Sequence, residues 1–295
     1  MQEKILNCTI LANSILDDCA NKIQHMLKTK VRHPALAVIL IGNNPASAIY
    51  VKNKKNACSR VGIESLEYIL PESTTEKELL NLIEKLNNDN NIDGILVQLP
   101  LPKHLDSKLI INAIMPTKDV DGFHAYNMGS LAVNNPLISP CTPLGVIYIL
   151  DNIKLNYLGK HAVIIGASNI VGRPMALELL NKGATVTICN NKTKNIEQIT
   201  KTADILIVAV GKAKMVQSNW VKDNSIVIDI GINKLPNGQI CGDVDFENLL
   251  NKVQYITPVP GGVGKMTIAM LIKNTLQCYM LGIEENNEKK SQKKS

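Results

Sequence analysis

The chain has 295 residues, 45% of them apolar and 20% charged, with a formal net charge of +6; that is ordinary soluble composition for roughly two domains. Lysines spread along the chain, with only two Phe and one Trp, exclude a nucleic-acid stacking platform and suit a small polyanion as ligand. Seven scattered cysteines without a C-x-x-C exclude a disulfide framework and a zinc ribbon, while the acids and amides of the N-terminus and the lack of a run of about 18 apolar residues exclude a signal peptide and a membrane span, so a cytoplasmic protein with no membrane or nucleic-acid partner and no metal is expected.

Apolar residues at helical spacing predict a helix over Leu11–Leu27, followed by a strand at Ala37–Gly42. A second helix, Ala46–Val61, carries Tyr50 and Lys54 four apart on one face, a pair that can stack on and protonate a substrate but also occurs on plain surfaces. Thr75 and Glu78 flank the start of a third helix at Glu76–Asn88. The apolar run Gly94–Leu99 then reads as a buried strand reaching the polar Gln98 and two prolines, and parallel sheets take ligands at such strand ends. A satisfied amide is the plainer role for Gln98. Asp119-Val120-Asp121-Gly122-Phe123 reads as a turn in which a carboxylate can serve the turn itself. Ser139–Ile153 reads as a helix bridging two domains, with Thr142 as N-cap and Pro143 at its first position.

A second alternation begins with a strand at 161–165 and continues through a helix at 173–182 and strands at Ala184–Cys189, Asp204–Val210 and Ser225–Ile230, the rhythm of a dinucleotide fold. Between its first strand and helix lies Gly166-x-Ser168-x-x-x-Gly172-x-Pro174. Glycine allows the sharp turn, and the following helix then aims unpaired N–H groups at an anion. No acid occurs from Cys189 to Lys194, where a ribose-binding carboxylate would stand; this favours NADP over NAD, with Lys192 and Lys194 as cations near a 2′-phosphate or as ordinary surface lysines. Pro236-Asn237-Gly238 signals a hairpin, either a dimer contact or a surface excursion. The last helix, Met266–Leu281, is expected to pack on the first domain, with a frayed tail beyond it.

Taken together, Tyr50 with Lys54, Gln98, Asp121, the Gly166 turn and the Pro258–Thr267 segment (PVPGGVGKMT) make the chain resemble the bifunctional methylenetetrahydrofolate dehydrogenase/methenyltetrahydrofolate cyclohydrolase family, the FolD type. The resemblance runs from about Ala35 to Leu281, through YVKNKKNACSRVGI, DGILVQLPLP, KDVDGFH, PCTPLG, GASNIVGRPM, IDIGIN, GDVDF and ITPVPGGVG in order. It implies an α/β protein of two domains with a cleft between them: a folate-binding domain of residues 1–140 plus 267–284, a Rossmann-type NADP domain of 141–266, and a disordered tail at 285–295. It also implies that Lys54 is the catalytic lysine, that Tyr50 stacks on the folate, that Gln98 holds Lys54 and that Asp121 binds the pterin. Pro260, Gly261 and Gly262 would line the substrate; Gly166, Ala167, Ser168, Ile170, Arg173, Asn191, Lys192 and Ile232 would hold NADP, with NAD as the alternative. A polyglutamylated folate substrate and a homodimer follow from the same resemblance. Three places depart from the family pattern: Lys265 replaces a usual proline, Ala167 stands where some members carry arginine, and Asn190-Asn191 replace a frequent histidine followed by serine or arginine.

Oxidising the N–CH2–N bridge of 5,10-methylenetetrahydrofolate removes a hydride and leaves a delocalised cation, so that step rests on positioning. Hydrolysing the methenyl cation needs a proton shuttle, and burial beside a cationic substrate disfavours a charged lysine, which suits Lys54 to the task. The rival readings are a dehydrogenase that has lost hydrolysis and a non-catalytic dinucleotide-binding protein.

Overall fold

A computed structural model describes residues 2–28 and 32–292 of the chain. They form two compact units, one made of Asn13–Cys141 with Ile268–Ser295 and the other of Met1–Ala12 with Thr142–Thr267.

The first unit contains most of α1 (Cys8–Leu27), then β1 (Ala35–Ile41), α2 (Pro45–Val61), β2 (Glu64–Leu70), α3 (Glu76–Asn88), β3 (Gly94–Val97), α4 (Ser107–Ala113) and α5 (Ala125–Ala132). Its three strands are parallel in the order β2-β1-β3. All seven residues of β1, ALAVILI, are buried, as a central strand covered on both faces requires. The side of β1 that carries Ala35, Ala37, Ile39 and Ile41 packs on Leu79, Ile83 and Leu86 of α3. A capping box fixes the start of α3, where Thr75 Oγ1 accepts from Glu78 N and the Glu78 carboxylate accepts from Thr75 N at 2.8 Å. Strand β2 was not legible in the sequence, because Glu64 and Glu67 interrupt its apolar pattern; it is an edge strand, and charge there discourages pairing with other chains.

The second unit holds α6 (Cys141–Asn152), β4 (His161–Ile165), α7 (Gly172–Asn181), β5 (Thr185–Cys189), α8 (Ile196–Thr200), β6 (Ile205–Val208), β7 (Ile226–Asp229), the hairpin β8 (Asn233–Lys234) and β9 (Ile240–Cys241), α9 (Phe246–Leu249), β10 (Tyr255–Ile256) and the start of α10 (Val263–Gln292). Its five-stranded parallel sheet runs β10-β7-β6-β4-β5. Counted from β4, that is the 2-1-3-4-5 order of a doubly wound fold, and the chain reverses direction across the sheet between β4 and β6. Ligands of such sheets bind at the carboxyl ends of the strands beside that reversal. The hairpin expected at Pro236–Gly238 forms, with Gly238 at φ +84° and Leu235 N donating to Gln239 O at 2.8 Å.

Three expectations need adjustment. Thr142 is not an N-cap: α6 already begins at Cys141, and the Thr142 hydroxyl instead pairs with that of Thr267 at 2.9 Å. The first twelve residues belong with the dinucleotide unit, tied there by Leu6 N donating to Ile256 O at 2.9 Å and a parallel bridge between Ile5 and Ile256. Helical backbone continues to Gln292, past Leu281 and into the tail expected to be disordered; 293–295 lie outside the described residues. No helix among the described residues is long and apolar enough to cross a membrane.

Candidate active site

Strands β1 and β3 are neighbours, so their carboxyl ends lie side by side. Gln98 prolongs β3 there, its N–H donating to Ile39 O at 2.9 Å. Its side-chain Nε2 donates to Leu99 O at 2.7 Å, which turns Oε1 toward α2, where it accepts from Lys54 Nζ at 3.0 Å. Lys54 is only 8% exposed, whereas Tyr50, one helical turn earlier, is 36% exposed and its phenol is pushed up by burial. The Lys54 side chain is thus held by a neutral amide oxygen rather than by a hydrogen-bonded carboxylate.

The turn after α4 distinguishes its two carboxylates. Asp119, 2% exposed, accepts from Gly122 N at 3.1 Å, His124 N at 2.8 Å and Asn127 Nδ2 at 3.0 Å. Asp121 accepts no protein hydrogen bond among the described residues. Burial raises its carboxyl to about 6; the Lys54 ammonium opposes that rise and the Asp119 charge adds to it. A small cavity beside Asp121 is walled by Ile95, Val97, Leu99 and Phe123, an apolar slot with one unengaged acceptor. A larger cavity of about 380 Å³ in this unit contains none of the predicted site residues; its cations are engaged, Arg32 by Asp93 and Lys118 by the carbonyls that end α3.

In the second unit, the turn after β4 depends on two glycines. Gly166 adopts φ +116°, and a Cβ there would stand 2.2 Å from Ala209 O; a Cβ on Gly172 would stand 1.9 Å from Gly166 O. Ser168 builds the turn: its Oγ accepts from Val171 N at 3.1 Å and its carbonyl from Arg173 N at 3.0 Å. The N–H groups of Ser168, Asn169 and Ile170 have no protein acceptor among the described residues, and Arg173 is exposed beside them with Nε donating to Ala167 O at 3.3 Å. A glycine-lined concavity with free N–H groups and a helix start fits a pyrophosphate. At the end of β5, Asn190 Oδ1 accepts from Lys192 N at 2.8 Å and Asn190 N donates to Thr193 Oγ1 at 2.9 Å, a turn that leaves Asn191 and Lys192 exposed. These residues fit NADP.

Ile232, 49% exposed, follows β7 in the same unit. Pro260, Gly261 and Gly262 also fall in this unit, not with Tyr50, Lys54 and Asp121. Gly262 backs onto Pro258 O, α10 begins at Val263, and Lys265 is exposed in its first turn with N–H donating to Gly262 O at 3.1 Å. That turn is also where proline is tolerated in a helix, so the Lys265 departure leaves the local backbone intact. Asp229 and Asp243, two buried carboxylates in this unit, were not legible as site residues in the sequence; the available signal was a nearby glycine in each motif, Gly231 two residues after Asp229 in IDIGIN and Gly242 just before Asp243 in GDVDF.

Comparison with known proteins agrees over nearly the whole chain. Residues 6–121 match the tetrahydrofolate dehydrogenase/cyclohydrolase catalytic domain, and residues 140–282 match the NAD(P)-binding domain of the same family. A relative from Ruthia magnifica, "Bifunctional protein FolD", is 57% identical over 264 residues, 88% of this chain and 95% of that protein. The crystal structure of the bifunctional FolD dehydrogenase/cyclohydrolase from Campylobacter jejuni superposes with a TM-score of 0.91 at 51% identity, covering 94% of this chain and 98% of that one. The Trypanosoma brucei FolD structure, complexed with NADP and an inhibitor, gives a TM-score of 0.91 at 33% identity, covering 95% and 98%.

Proposed function

The chain belongs to the tetrahydrofolate dehydrogenase/cyclohydrolase family, and from that premise we infer its reaction: it oxidises 5,10-methylenetetrahydrofolate with NADP to 5,10-methenyltetrahydrofolate and hydrolyses this to 10-formyltetrahydrofolate. The observation that carries the hydrolytic half is the buried Lys54 held by the amide oxygen of Gln98. In this reading the unit of Asn13–Cys141 with Ile268–Ser295 serves the folate and that of Thr142–Thr267, with the first twelve residues, the dinucleotide.

Bound NADP would supply the hydride acceptor for the methylene bridge. For that step the protein supplies position. Asp121 accepts two N–H bonds from the 2-amino-pyrimidinone edge of the pterin, the bidentate geometry that carboxylates favour, and Tyr50 stacks on the ring system. Pro260, Gly261 and Gly262 border the folate. Gly166, Ala167, Ser168, Ile170 and Arg173 would receive the pyrophosphate, Asn191 and Lys192 the 2′-phosphate, and Ile232 the nicotinamide end.

Hydrolysis takes both protons from the adding water as its oxygen becomes the formyl carbonyl, delivering one to the departing N5 and releasing the other to solvent. Lys54 Nζ relays these protons. Gln98 fixes its place, because the amide is itself anchored by Nε2 donating to Leu99 O.

The substrate is a polyglutamylated folate, which the net charge of +6 suits. The protein is a cytoplasmic homodimer; its seven free cysteines suit a reducing compartment, and sedimentation velocity checks the dimer. The reaction is tested by mixing purified protein with 5,10-methylenetetrahydrofolate and NADP or NAD while following reduced cofactor and the methenyl absorbance together. Reduced cofactor without lasting methenyl accumulation, and enzymatic clearance of added methenyltetrahydrofolate, are expected; no signal with either cofactor would leave a non-catalytic binding protein.

A further inference from the structure

We propose that Asp243 is a positioning residue of the dinucleotide site, an internal anion that holds the loops following β6 and β7 in their binding shape. This rests on the reading of the second unit as an NADP site. Asp243 is fully buried and its carboxylate has four donors and no cation among the described residues. Oδ2 accepts from Val210 N at 2.7 Å and Gly211 N at 2.9 Å, and Oδ1 from Lys212 N and Asn233 Nδ2, both at 2.8 Å. Three successive backbone N–H groups converging on one anion form a nest, and here the chain fills its own nest.

A second carboxylate locks the first. Asp229, at the end of β7, accepts from Asp243 N at 3.0 Å and from Gly231 N and Val244 N, both at 2.9 Å. The approach is close enough to demand glycine on both sides: a Cβ on Gly231 would stand 2.1 Å from the Asp243 carboxyl carbon, and one on Gly242 would stand 1.9 Å from Asp229 Oδ2.

The held segments lie at the carboxyl ends of β6 and β7, the edge of the sheet that carries the Gly166 turn. Ala209, whose carbonyl abuts Gly166, immediately precedes the nest. Ile232 lies between Gly231, bonded to Asp229, and Asn233, bonded to Asp243. Removing the Asp243 charge would orphan buried donors, free residues 210–212 and 231–233 together, and shift Ala209 against the phosphate turn. None of these segments carries the proton shuttle, so hydrolysis should be unaffected.

The test compares Asp243→Asn and Asn233→Ala with wild type for the KM of NADP, the KM of methylenetetrahydrofolate and the rate of hydrolysis of added methenyltetrahydrofolate, which needs no NADP. Wild-type activity checks the underlying reading separately. Asp243→Asn is expected to raise the NADP KM by about tenfold or more and Asn233→Ala by about threefold, consistent with lost charged and neutral hydrogen bonds, with hydrolysis and the folate KM within about twofold of wild type. Unchanged NADP KM values in both variants, or hydrolysis falling in step with dehydrogenation, would overturn the proposal. Should Asp243→Asn not fold, Asn233→Ala decides alone, and an NADP KM within about 1.5-fold of wild type counts against it.

Discussion

Asp119 and Asp121 stand two residues apart in one turn, yet Asp119 takes three protein hydrogen bonds and Asp121 takes none among the described residues. The first holds the turn closed. The second is carried on that turn, unengaged and raised to about 6 by burial.

Asp121→Asn should therefore trade affinity for stability. Loss of the bidentate acceptor should raise the folate KM by about tenfold or more. In the free enzyme, the folded state binds the Asp121 proton more tightly than the unfolded chain does. Its contribution is thus fully present below the ordinary carboxylate range and is lost as pH rises through about 6. At pH 8 the Asn variant should be more stable than wild type by roughly 1 kcal/mol, the rise being discounted for partial exposure, and the gap should close at pH 4. Thermal melts at the two pH values check this, and a wild type that melts higher at pH 8 would refute it.

Lys54→Met should reduce hydrolysis of methenyltetrahydrofolate by about 100-fold or more while leaving a measurable dehydrogenase rate. Gln98→Glu should also slow hydrolysis, because a carboxylate 3 Å from the ammonium would pin its proton. Equal loss of both activities in Lys54→Met would dissolve the division of labour between positioning and proton transfer.

Gly172→Ala would place a methyl against Gly166 O and 3.0 Å from Ala167 Cα, both backbone atoms that cannot swing aside. The turn after β4 must open. Dehydrogenation should fall with an NADP KM raised by about tenfold or more, whereas added methenyltetrahydrofolate should be cleared at nearly the normal rate. A normal NADP KM would move the cofactor away from this turn.

Lys192→Glu should change cofactor preference. A carboxylate at this exposed position would repel a 2′-phosphate and accept from ribose hydroxyls instead, lowering the ratio of kcat/KM for NADP over NAD by about tenfold. If the ratio is unchanged, Lys192 is an ordinary surface lysine.

From the sequence alone came the α/β class, nearly every strand of the larger sheet, the glycine turn and the family, because each is written in a short run: apolar alternation, a glycine spacing, a motif in order. Strand β2 escaped that reading because an edge strand need not be apolar, and Thr142 was taken as a cap because a hydroxyl before proline is a local signal, whereas its actual partner, Thr267, lies 125 residues away. The contacts within the sites form at similar range. Lys54 meets Gln98 across 44 residues, and Asp243 reaches its backbone donors across 31 to 33. Residue type and spacing can nominate a carboxylate, but whether it holds a turn, fills a nest or faces a substrate depends on which donors the fold delivers to its oxygens. That is a property of the packed sheets and loops, where a buried charge must find partners or remain exposed to ligand, and no local run of sequence contains it.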